Sequence, residues 1–246
     1  MIPISCTIIA KNEVDRIGRA IDSVRGLVDE ILVVDSGSTD GTQALAEKLG
    51  ARVVANIWTG YGPQKRFAED AARNDWILNL DADEWLSEGL RDELRALLSA
   101  GTPAVSTYKM RVTIVYRGRE KPAPFADSTV CLRLYDKRVA RFDASAIHDN
   151  VPEQRDTATL AGRVYHQSFR GLADVVRKEL LYFELQAKEK KKPRAVLLAR
   201  LPFEFPLHFF RFYILARHCF GGAYGFAVAT TIAFMRFMRV ALLLGW

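Results

Sequence analysis

The sequence predicts an α/β protein with a mainly parallel sheet, an antiparallel second half and a C-terminal helical tail. Short apolar runs alternate with amphipathic stretches over the first hundred residues, which is typical of βαβ units. Longer alternating runs follow Gly101, and a basic, apolar segment ends the chain. With 246 residues, 49% of them apolar, the chain is long enough for a sizeable core, and disordered and collagen-like classes are excluded.

Each predicted element follows from its local pattern. Apolar β-branched runs predict strands at 4–10, 31–34, 52–55 and 76–80, and amphipathic periodicity predicts helices at 14–25, 42–49, 63–72 and 87–99. Three longer runs predict antiparallel strands at 105–116, 129–135 and 139–142, and helical periodicity returns over 172–188. We therefore expect three regions: 1–100 and 101–186 as two halves of one domain, and 187–246 as the tail.

Cysteine usage indicates the compartment. Cys6, Cys131 and Cys219 are far apart, odd in number and without a CxxC pair. This disfavours a disulfide framework or a zinc knuckle and fits a reducing compartment. The first ten residues lack the basic region of a signal peptide, so we expect the chain to work in the cytoplasm.

The tail carries the positive charge. Residues 187–246 hold ten Lys and Arg against two acids, whereas the first 186 residues sum to −2. Basic residues interleaved with Phe and Leu are typical of a helix at an anionic membrane surface. Pro202 and Pro206 are expected to break this stretch into short helices. The uncharged run 219–235 is shorter than a span and is followed by Arg236 and Arg239, so we expect it to be interfacial or re-entrant.

Other interpretations of the tail remain open. It is also consistent with a soluble helical subdomain whose basic face is solvated, or with a contact between subunits of a homo-oligomer. No recognised nucleic-acid motif accompanies the basic residues, so no nucleic-acid partner is expected.

Three polar clusters follow predicted strands. They are Lys11-Asn12-Glu13, the stretch from Asp35 to Gly41, and Asp81-Ala82-Asp83-Glu84. In parallel sheets the ligand binds at the carboxyl ends of the strands, so these clusters are expected to converge on one site.

Carboxylates carry the chemistry of two of these clusters. Asp81 and Asp83, at i and i+2, can share one divalent cation, or divide a cation and a ribose between them; Mg²⁺ or Mn²⁺ suits such hard oxygens. The alternative is that they only cap the next helix. Asp35 can accept hydrogen bonds from a nucleoside, or it can simply begin its turn. Glu84 is expected to be structural, at the positive end of the helix that follows.

These residues resemble family 2 glycosyltransferases, and most closely the small lipopolysaccharide core glucosyltransferase type. The segments that carry the resemblance are Thr7–Glu13, Val33–Thr42 and Trp76–Glu84, with weaker support from Trp58–Lys65, Arg133–Tyr135, Ile147–Asp149 and Phe220–Phe226. The resemblance covers nearly the whole chain and implies a GT-A fold, Rossmann-like in its first half. It also implies an inverting enzyme that uses nucleotide-diphosphate sugars.

The resemblance implies roles for particular residues. Asp35 would bind the nucleobase, and Asp83 would bind the metal directly, with Asp81 near both the ribose and the metal. The remaining residues of the nucleotide-sugar site would be Lys11, Asn12, Glu13, Gln64, Lys65 and Ala82. Two departures stand out: Arg66 replaces the usual Asn, and His148-Asp149 replaces the more frequent His-Glu.

The late His-Asp pair would supply the base. Inversion needs one group to accept the proton of the acceptor hydroxyl, and Asp149 fits that role. His148 would then coordinate the metal or orient the base, and the opposite assignment remains open.

The predicted activity is transfer of a hexose, glucose from UDP-glucose, to a lipid-linked or lipopolysaccharide core acceptor. We expect Mg²⁺ or Mn²⁺ as cofactor and a peripheral location on the cytoplasmic face of the inner membrane. The alternatives are a different donor in another glycan pathway and a scaffold that has lost the reaction. A dinucleotide oxidoreductase is excluded, since no glycine precedes residue 18 and the first strand leads into no G-x-G-x-x-G.

Overall fold

The computed structural model describes residues 2–101, 103–143, 150–187 and 193–246. The chain divides into two compact units. The first, here the sheet unit, comprises Met1–Thr113 and Ser128–His166, and the second, here the helical unit, comprises Ile114–Asp127 and Gln167–Trp246. The second stretch of the helical unit begins at Gln167, whereas the tail was expected to begin at 187. The difference is accounted for by the helix Leu172–Ala187, which belongs to the helical unit.

The sheet unit confirms the predicted alternation of strands and helices. Its strands are β1 Ile4–Ala10, β2 Glu30–Asp35, β3 Arg52–Ala55, β4 Trp76–Asp81, β5 Glu84–Leu86, β6 Thr107–Ile114, β7 Ser128–Asp136 and β8 Ala158–His166. Its helices are α1 Ile17–Val24, α2 Thr42–Lys48, α3 Tyr61–Ala71 and α4 Glu88–Ser99. The strands form one sheet in the order β3-β2-β1-β4-β7-β6-β8-β5.

The sheet is parallel on one side and antiparallel on the other, as the sequence predicts. β1 pairs in parallel with β2 and β4, and β2 pairs in parallel with β3. β4 with β7, β6 with β7, and β5 with β8 are antiparallel pairs. All seven residues of β1 are buried, which is the pattern of a parallel strand covered on both faces.

The two faces of the sheet bury different side chains. Ile8 of β1 belongs to a core cluster that includes Ile17 of α1 and Leu90 of α4. Its neighbour Ile9 belongs to a separate cluster that includes Ala68 of α3. Successive side chains of a strand point to opposite faces, so the apolar run of β1 serves both cores.

Two expectations for this unit are wrong, and two of its strands are additional. No strand forms over 139–142; Ala140 and Phe142 are buried in a core cluster without pairing to the sheet. β5 and β8 were not predicted. Glu84 lies in β5, with three residues before α4 begins, so it does not act at the positive end of that helix.

The helical unit contains three long helices within its described residues. They are α5 Leu172–Ala187, α6 Arg194–Phe210 and α7 Gly222–Leu243, with a π-helical segment at Arg211–Leu215 and a 3₁₀ turn at His218–Gly221. The expectation that Pro202 and Pro206 break the segment is wrong, because α6 runs through both. Leu197 and Leu201 on α6 pack against Val240 and Leu244, and this contact favours the helix despite the lost hydrogen bonds.

α7 is also longer than expected. The apolar run was expected to end before Arg236, but the helix continues to Leu243. Arg236 is accommodated because its Nη2 lies 3.2 Å from Oε1 of Glu179 on α5. Among the described residues, His218–Leu243 is the single helical stretch whose length and composition would allow it to cross a membrane, and composition alone is weak evidence.

The loop between β6 and β7 belongs to the helical unit. Its Tyr116 hydroxyl lies 2.5 Å from Nδ1 of His218, and both groups are buried. Glycines permit this packing: a Cβ on Gly221 would lie 2.3 Å from the Tyr116 ring, and one on Gly225 would lie 2.0 Å from the carbonyl oxygen of His218. The Gly-rich segment noted in the sequence therefore holds the loop.

Candidate active site

Strand register brings the three polar clusters to one edge of the sheet. Ala10 of β1 is paired with Asp35 of β2, and Ile9 of β1 is paired with Asp81 of β4. The residues that follow these strands therefore lie side by side at their carboxyl ends, as the sequence predicts.

The loops after β1 and β2 are hydrogen-bonded to each other. The backbone N–H of Asn12 donates to Oγ of Ser38 at 2.8 Å, and the N–H of Thr39 donates to Oδ1 of Asn12 at 2.9 Å. The N–H of Glu13 donates to Oγ1 of Thr42 at 2.8 Å. Asn12 adopts a φ of 55°, which Asn tolerates better than most residues, and Lys11 is exposed. Together these bonds fix one wall of the site.

The Asp35 side chain is buried and accepts four hydrogen bonds. Oδ1 accepts from the N–H groups of Gly37 and Ser38 and from Nε2 of Gln43, at 2.6–2.9 Å, and Oδ2 accepts from Oγ of Ser38. Burial acts to raise the pKa of Asp35, but these hydrogen bonds outweigh it, and the net shift is downward. Asp35 thus stabilises its own turn in this structure, while its role toward a nucleobase stays a prediction.

α3 brings Gln64 and Lys65 to the same edge. The Gln64 side chain is buried; its Oε1 accepts from Asn56 at 2.8 Å, and its Nε2 donates to Oγ of Ser36 at 3.0 Å. Lys65 is also buried, with Nζ 2.9 Å from Oδ1 of Asp81. Gln64 therefore supports the loop after β2, and Lys65 neutralises the first aspartate of the Asp-Ala-Asp motif.

Arg133 of β7 holds the other side of Asp81. Its Nη2 lies 2.5 Å from Oε1 of Glu84 and 3.4 Å from Oδ2 of Asp81, and its Nη1 donates to Oδ1 of Asn79 at 2.9 Å. Burial raises the pKa of Glu84, and the nearby Arg133 offsets this only in part. For Asp81 the charges of Lys65 and Arg133 outweigh burial and lower the pKa.

Asp83 is held by a different pair of side chains. Nη1 of Arg16 lies 3.0 Å from Oδ2 of Asp83, and Nε2 of His166 lies 3.3 Å from Oδ1. The same Arg16 donates twice to the carboxylate of Glu13 at 2.8 Å, so it links the loop after β1 to the motif after β4. Burial opposes protonation of His166, but the hydrogen bond and charge of Asp83 raise its pKa above the ordinary value.

Asp81, Asp83 and Glu84 form what we call the acidic cluster, and Ala82 between them is buried. Lys65, Arg133 and Arg16 balance its charge, and His166 lies against Asp83. Sequence reasoning missed Arg16 and His166 and did not assign Arg133 to the site. Arg16 could have been found from its spacing of three residues after Glu13, which is typical of an ion pair. His166 is found only once β8 is recognised.

Two predicted residues lie outside the described residues: His148 and Asp149. The departure noted at Arg66 has a structural account, since its Nη1 donates to the carbonyl oxygen of Phe142 at 2.9 Å. Arg66 therefore ties α3 to the chain that precedes the undescribed segment.

The acidic cluster has the donor chemistry of a site for a hard divalent cation. Asp81 and Asp83 supply carboxylate oxygens that retain partial solvent exposure, and His166 adds an imidazole. Among the residues that the structure describes, no group of three or more His, Cys, Asp or Glu is arranged to hold an ion. The residue types fit such an ion, and each aspartate is paired with cationic side chains in the structure.

The fold and the site together define a class of protein. A parallel half-sheet in the order β3-β2-β1-β4, carboxylates at the ends of β2 and β4, and an antiparallel second half constitute the GT-A fold that the sequence resemblance implies. The family model described as Glycosyl transferase family 2 matches residues 5–155, and the chain belongs to this family. It is therefore a glycosyltransferase.

Named relatives match over nearly the whole chain. An uncharacterized glycosyltransferase of Rickettsia felis is 40% identical, over 97% of this chain and 88% of its own length. The lipopolysaccharide core biosynthesis glycosyltransferase LpsC of Rhizobium meliloti is 33% identical, over 98% of this chain and 91% of its own. Among solved structures, glucosyl-3-phosphoglycerate synthase of Mycobacterium tuberculosis, in complex with Mn²⁺, UDP and glucosyl-3-phosphoglycerate, is 32% identical. That match covers 47% of this chain and 44% of the other, with a TM-score of 0.35.

Proposed function

We propose that this enzyme transfers a hexose, glucose from UDP-glucose, to a lipopolysaccharide core or other lipid-linked acceptor with inversion at the anomeric carbon. The observation that carries the proposal is the acidic cluster at the carboxyl end of β4, beside the loops after β1 and β2. The lipopolysaccharide core role printed for the Rhizobium meliloti relative supports the acceptor class.

The donor nucleotide would lie along the loops after β1 and β2. Asp35 and the 11–13 loop would bind the nucleoside, with Gln64 supporting the pocket from below through Ser36. Lys65 is placed within 2.9 Å of Asp81, so a diphosphate that approached Asp81 would also meet its ammonium group. Cationic side chains of this kind stabilise the negative charge that develops on the leaving group.

Asp81 and Asp83 would hold Mg²⁺ or Mn²⁺, which neutralises a diphosphate leaving group when bound. Lys65 is paired with Asp81 and Arg16 with Asp83. A bound ion would replace these two cations as the partner of the carboxylates, and no further acidic group would be needed. Of the late His-Asp pair, His148 would assist the metal or orient the base.

Asp149 would act as the general base. The acceptor oxygen attacks the anomeric carbon, the bond to the diphosphate breaks, and the proton of the acceptor hydroxyl passes to the carboxylate. Asp149→Asn is then expected to lower kcat by about 10²–10⁴-fold with nucleotide affinity retained, and His148→Asn to lower it less. A larger effect of His148→Asn on kcat would reverse the assignment.

The location would be peripheral, on the cytoplasmic face of the inner membrane, where a lipid-linked acceptor is accessible. The excess of Lys and Arg over acids in residues 187–246 favours an anionic lipid surface. A homo-oligomer is compatible with the same apolar tail. A different sugar donor in an exopolysaccharide or polyprenyl-linked pathway is the alternative.

Calorimetric titration of UDP, UDP-glucose and GDP-mannose, with and without Mn²⁺, tests the donor site. We expect metal-dependent UDP binding that is lost in Asp83→Ala. Asp92→Ala is the matched control, since Asp92 is an exposed acid paired only with Arg95 across one helical turn in the described contacts. Equal binding by Asp83→Ala and Asp92→Ala would show that the acidic cluster is structural, and preference for GDP-mannose would favour the alternative donor.

A further inference from the structure

One side of α6 is apolar and faces solvent. Its residues are Val196, Phe203, Leu207, Phe210 and, in the π-helical segment, Ile214. Their side chains are 45–65% exposed. Spacings of seven, four, three and four residues place them along one side of the helix, which we call the α6 stripe. The 18 residue-to-residue steps from Val196 to Ile214 make this stripe about 27 Å long.

The inner side of α6 is already covered. Leu197 and Leu201 pack against Val240 and Leu244 of the α7 region, and Glu204 is buried beside Arg200. A helix at the surface of a soluble unit normally turns polar residues outward. α6 instead has apolar residues on both sides, and the outer set stays about half exposed to solvent.

Charge identifies what covers the stripe. Glu204 is the only acid in residues 193–246, and it is buried and paired with Arg200 and His208. Exposed arginines lie at both ends of the stripe: Arg194 at the start, and Arg211 and Arg217 beyond Phe210. The surface therefore has cations at its ends and one, Arg200, beside its middle, where it is about one-third exposed and paired with Glu204. An apolar stripe with cations and no exposed acid matches acyl chains beneath anionic headgroups. A second copy of the chain would bring cations against cations, which disfavours that occupant.

α7 is less suited to the membrane, although its composition would allow a span. Its Val228, Ala229, Ile232 and Ala233 are buried within the helical unit. Arg236 on the same helix is paired with Glu179 of α5. Inserting α7 across a bilayer would expose these contacts to lipid, whereas the α6 stripe is free of such contacts on its outer side.

We infer that α6 lies along the membrane surface with its stripe in the interface, and that α7 forms the core of the helical unit instead of crossing the bilayer. This inference rests on the proposed peripheral location and specifies the surface that makes the contact. Phe203, Leu207 and Phe210 insert, and Arg194, Arg211 and Arg217 pair with anionic headgroups.

Vesicle co-sedimentation of the full chain tests this. The vesicles contain phosphatidylcholine with about a third phosphatidylglycerol, an anionic surface of the kind the stripe requires. The double variant Phe203→Ser/Leu207→Ser is expected to lower vesicle affinity by at least about tenfold, because each substitution removes apolar area that the membrane would bury. Phe234→Ser/Leu242→Ser is the matched control: both residues are on α7 and about half exposed. It is expected to bind within about twofold of the wild type.

Two results would overturn the inference. The first is equal loss in both double variants, or loss only in the α7 variant. The second is that, in sedimentation velocity without lipid, the wild type is a dimer and the α6 double variant is a monomer, while the variant still binds vesicles. That outcome would assign the stripe to a subunit contact.

A second pair of variants tests the same surface with substitutions that avoid the loss of apolar packing in the Ser variants. Leu207→Trp and Phe234→Trp keep a large apolar group, and vesicles with brominated acyl chains quench tryptophans in the interface. We expect added quenching in Leu207→Trp only, and added quenching in Phe234→Trp alone would contradict the inference. UDP titration on every variant distinguishes this question from the proposed function, because loss of vesicle binding with nucleotide binding retained affects only the docking surface.

Discussion

Arg133 connects the antiparallel half of the sheet to the acidic cluster, and its removal tests how the cluster is held. The side chain is 9% exposed and the side chain of Glu84 is 1% exposed, with 2.5 Å between Nη2 and Oε1. Arg133→Met keeps much of the side-chain volume but leaves Glu84 buried without its nearest cation. Breaking a buried ion pair from one side costs about 3–5 kcal/mol, because the remaining charge stays desolvated.

Urea unfolding followed by tryptophan fluorescence measures this cost. We expect Arg133→Met to lower the free energy of unfolding by about 3–5 kcal/mol. Arg95→Met is the matched control: its 2.7 Å pair with Asp92 is solvent-exposed. Exposed pairs contribute about 0–1 kcal/mol, so the control is expected to unfold near the wild-type midpoint.

The double variant Arg133→Met/Glu84→Gln tests whether this cost comes from the uncompensated charge of Glu84. Removing both charges is expected to recover part of the stability lost in Arg133→Met, since no uncompensated charge remains. A loss in Arg133→Met no larger than in Arg95→Met, or no recovery in the double variant, would refute the electrostatic account of the cluster.

Two further predictions concern glycine packing and pH. Gly225→Ala places a Cβ 2.0 Å from the carbonyl oxygen of His218 and is expected to cost about 1–3 kcal/mol, whereas Gly89→Ala meets nothing within 4 Å and is expected to leave the melting temperature unchanged or slightly higher. Burial raises the pKa of Asp35, but hydrogen bonds, chiefly from Ser38, outweigh burial and lower the pKa overall. The ionised Asp35 therefore stabilises the folded state above the unfolded-state pKa of about 3.9. This stabilisation is lost as pH falls through the folded-state pKa. The free energy of unfolding of Asp35→Asn should therefore vary less with pH below about 4 than that of the wild type, and identical pH dependence would contradict this.

The parallel half of the fold was predictable because its signals are local. β1 was predicted at 4–10 and is found at Ile4–Ala10, and β3 at 52–55 is found at Arg52–Ala55. Each such strand is a short, mainly apolar run followed by a polar residue, so neighbouring sequence suffices. Adjacency of the polar clusters then follows from the topology of parallel sheets.

The errors occur where a distant residue decides the outcome. Pro202 is tolerated in α6 because Leu197 and Leu201 are anchored to α7 residues about 40 positions away. Arg236 does not end α7 because Glu179 pairs with it. No local pattern contains these partners.

The site shows the same division. The Asp-Ala-Asp motif was visible as a motif, but the side chains that hold it come from the residue before α1 and from α3, β7 and β8. His166 was missed because β8 was missed. The side-chain roles of Asp35 and Gln64 depend on hydrogen bonds to Ser38 and Asn56, which the sequence places nearby without indicating their direction.

The loop between β6 and β7 has a consequence for synthesis and truncation. Residues 114–127 belong to the helical unit, so the chain changes unit three times and neither unit is one continuous stretch of sequence. During translation, Tyr116 emerges about a hundred residues before His218, with which it forms its buried hydrogen bond. A truncation that ends at His166 would remove that partner together with Gly221 and Gly225 and leave the loop with an exposed tyrosine. The C-terminal helices are therefore an integral part of the fold of this enzyme rather than a detachable anchor.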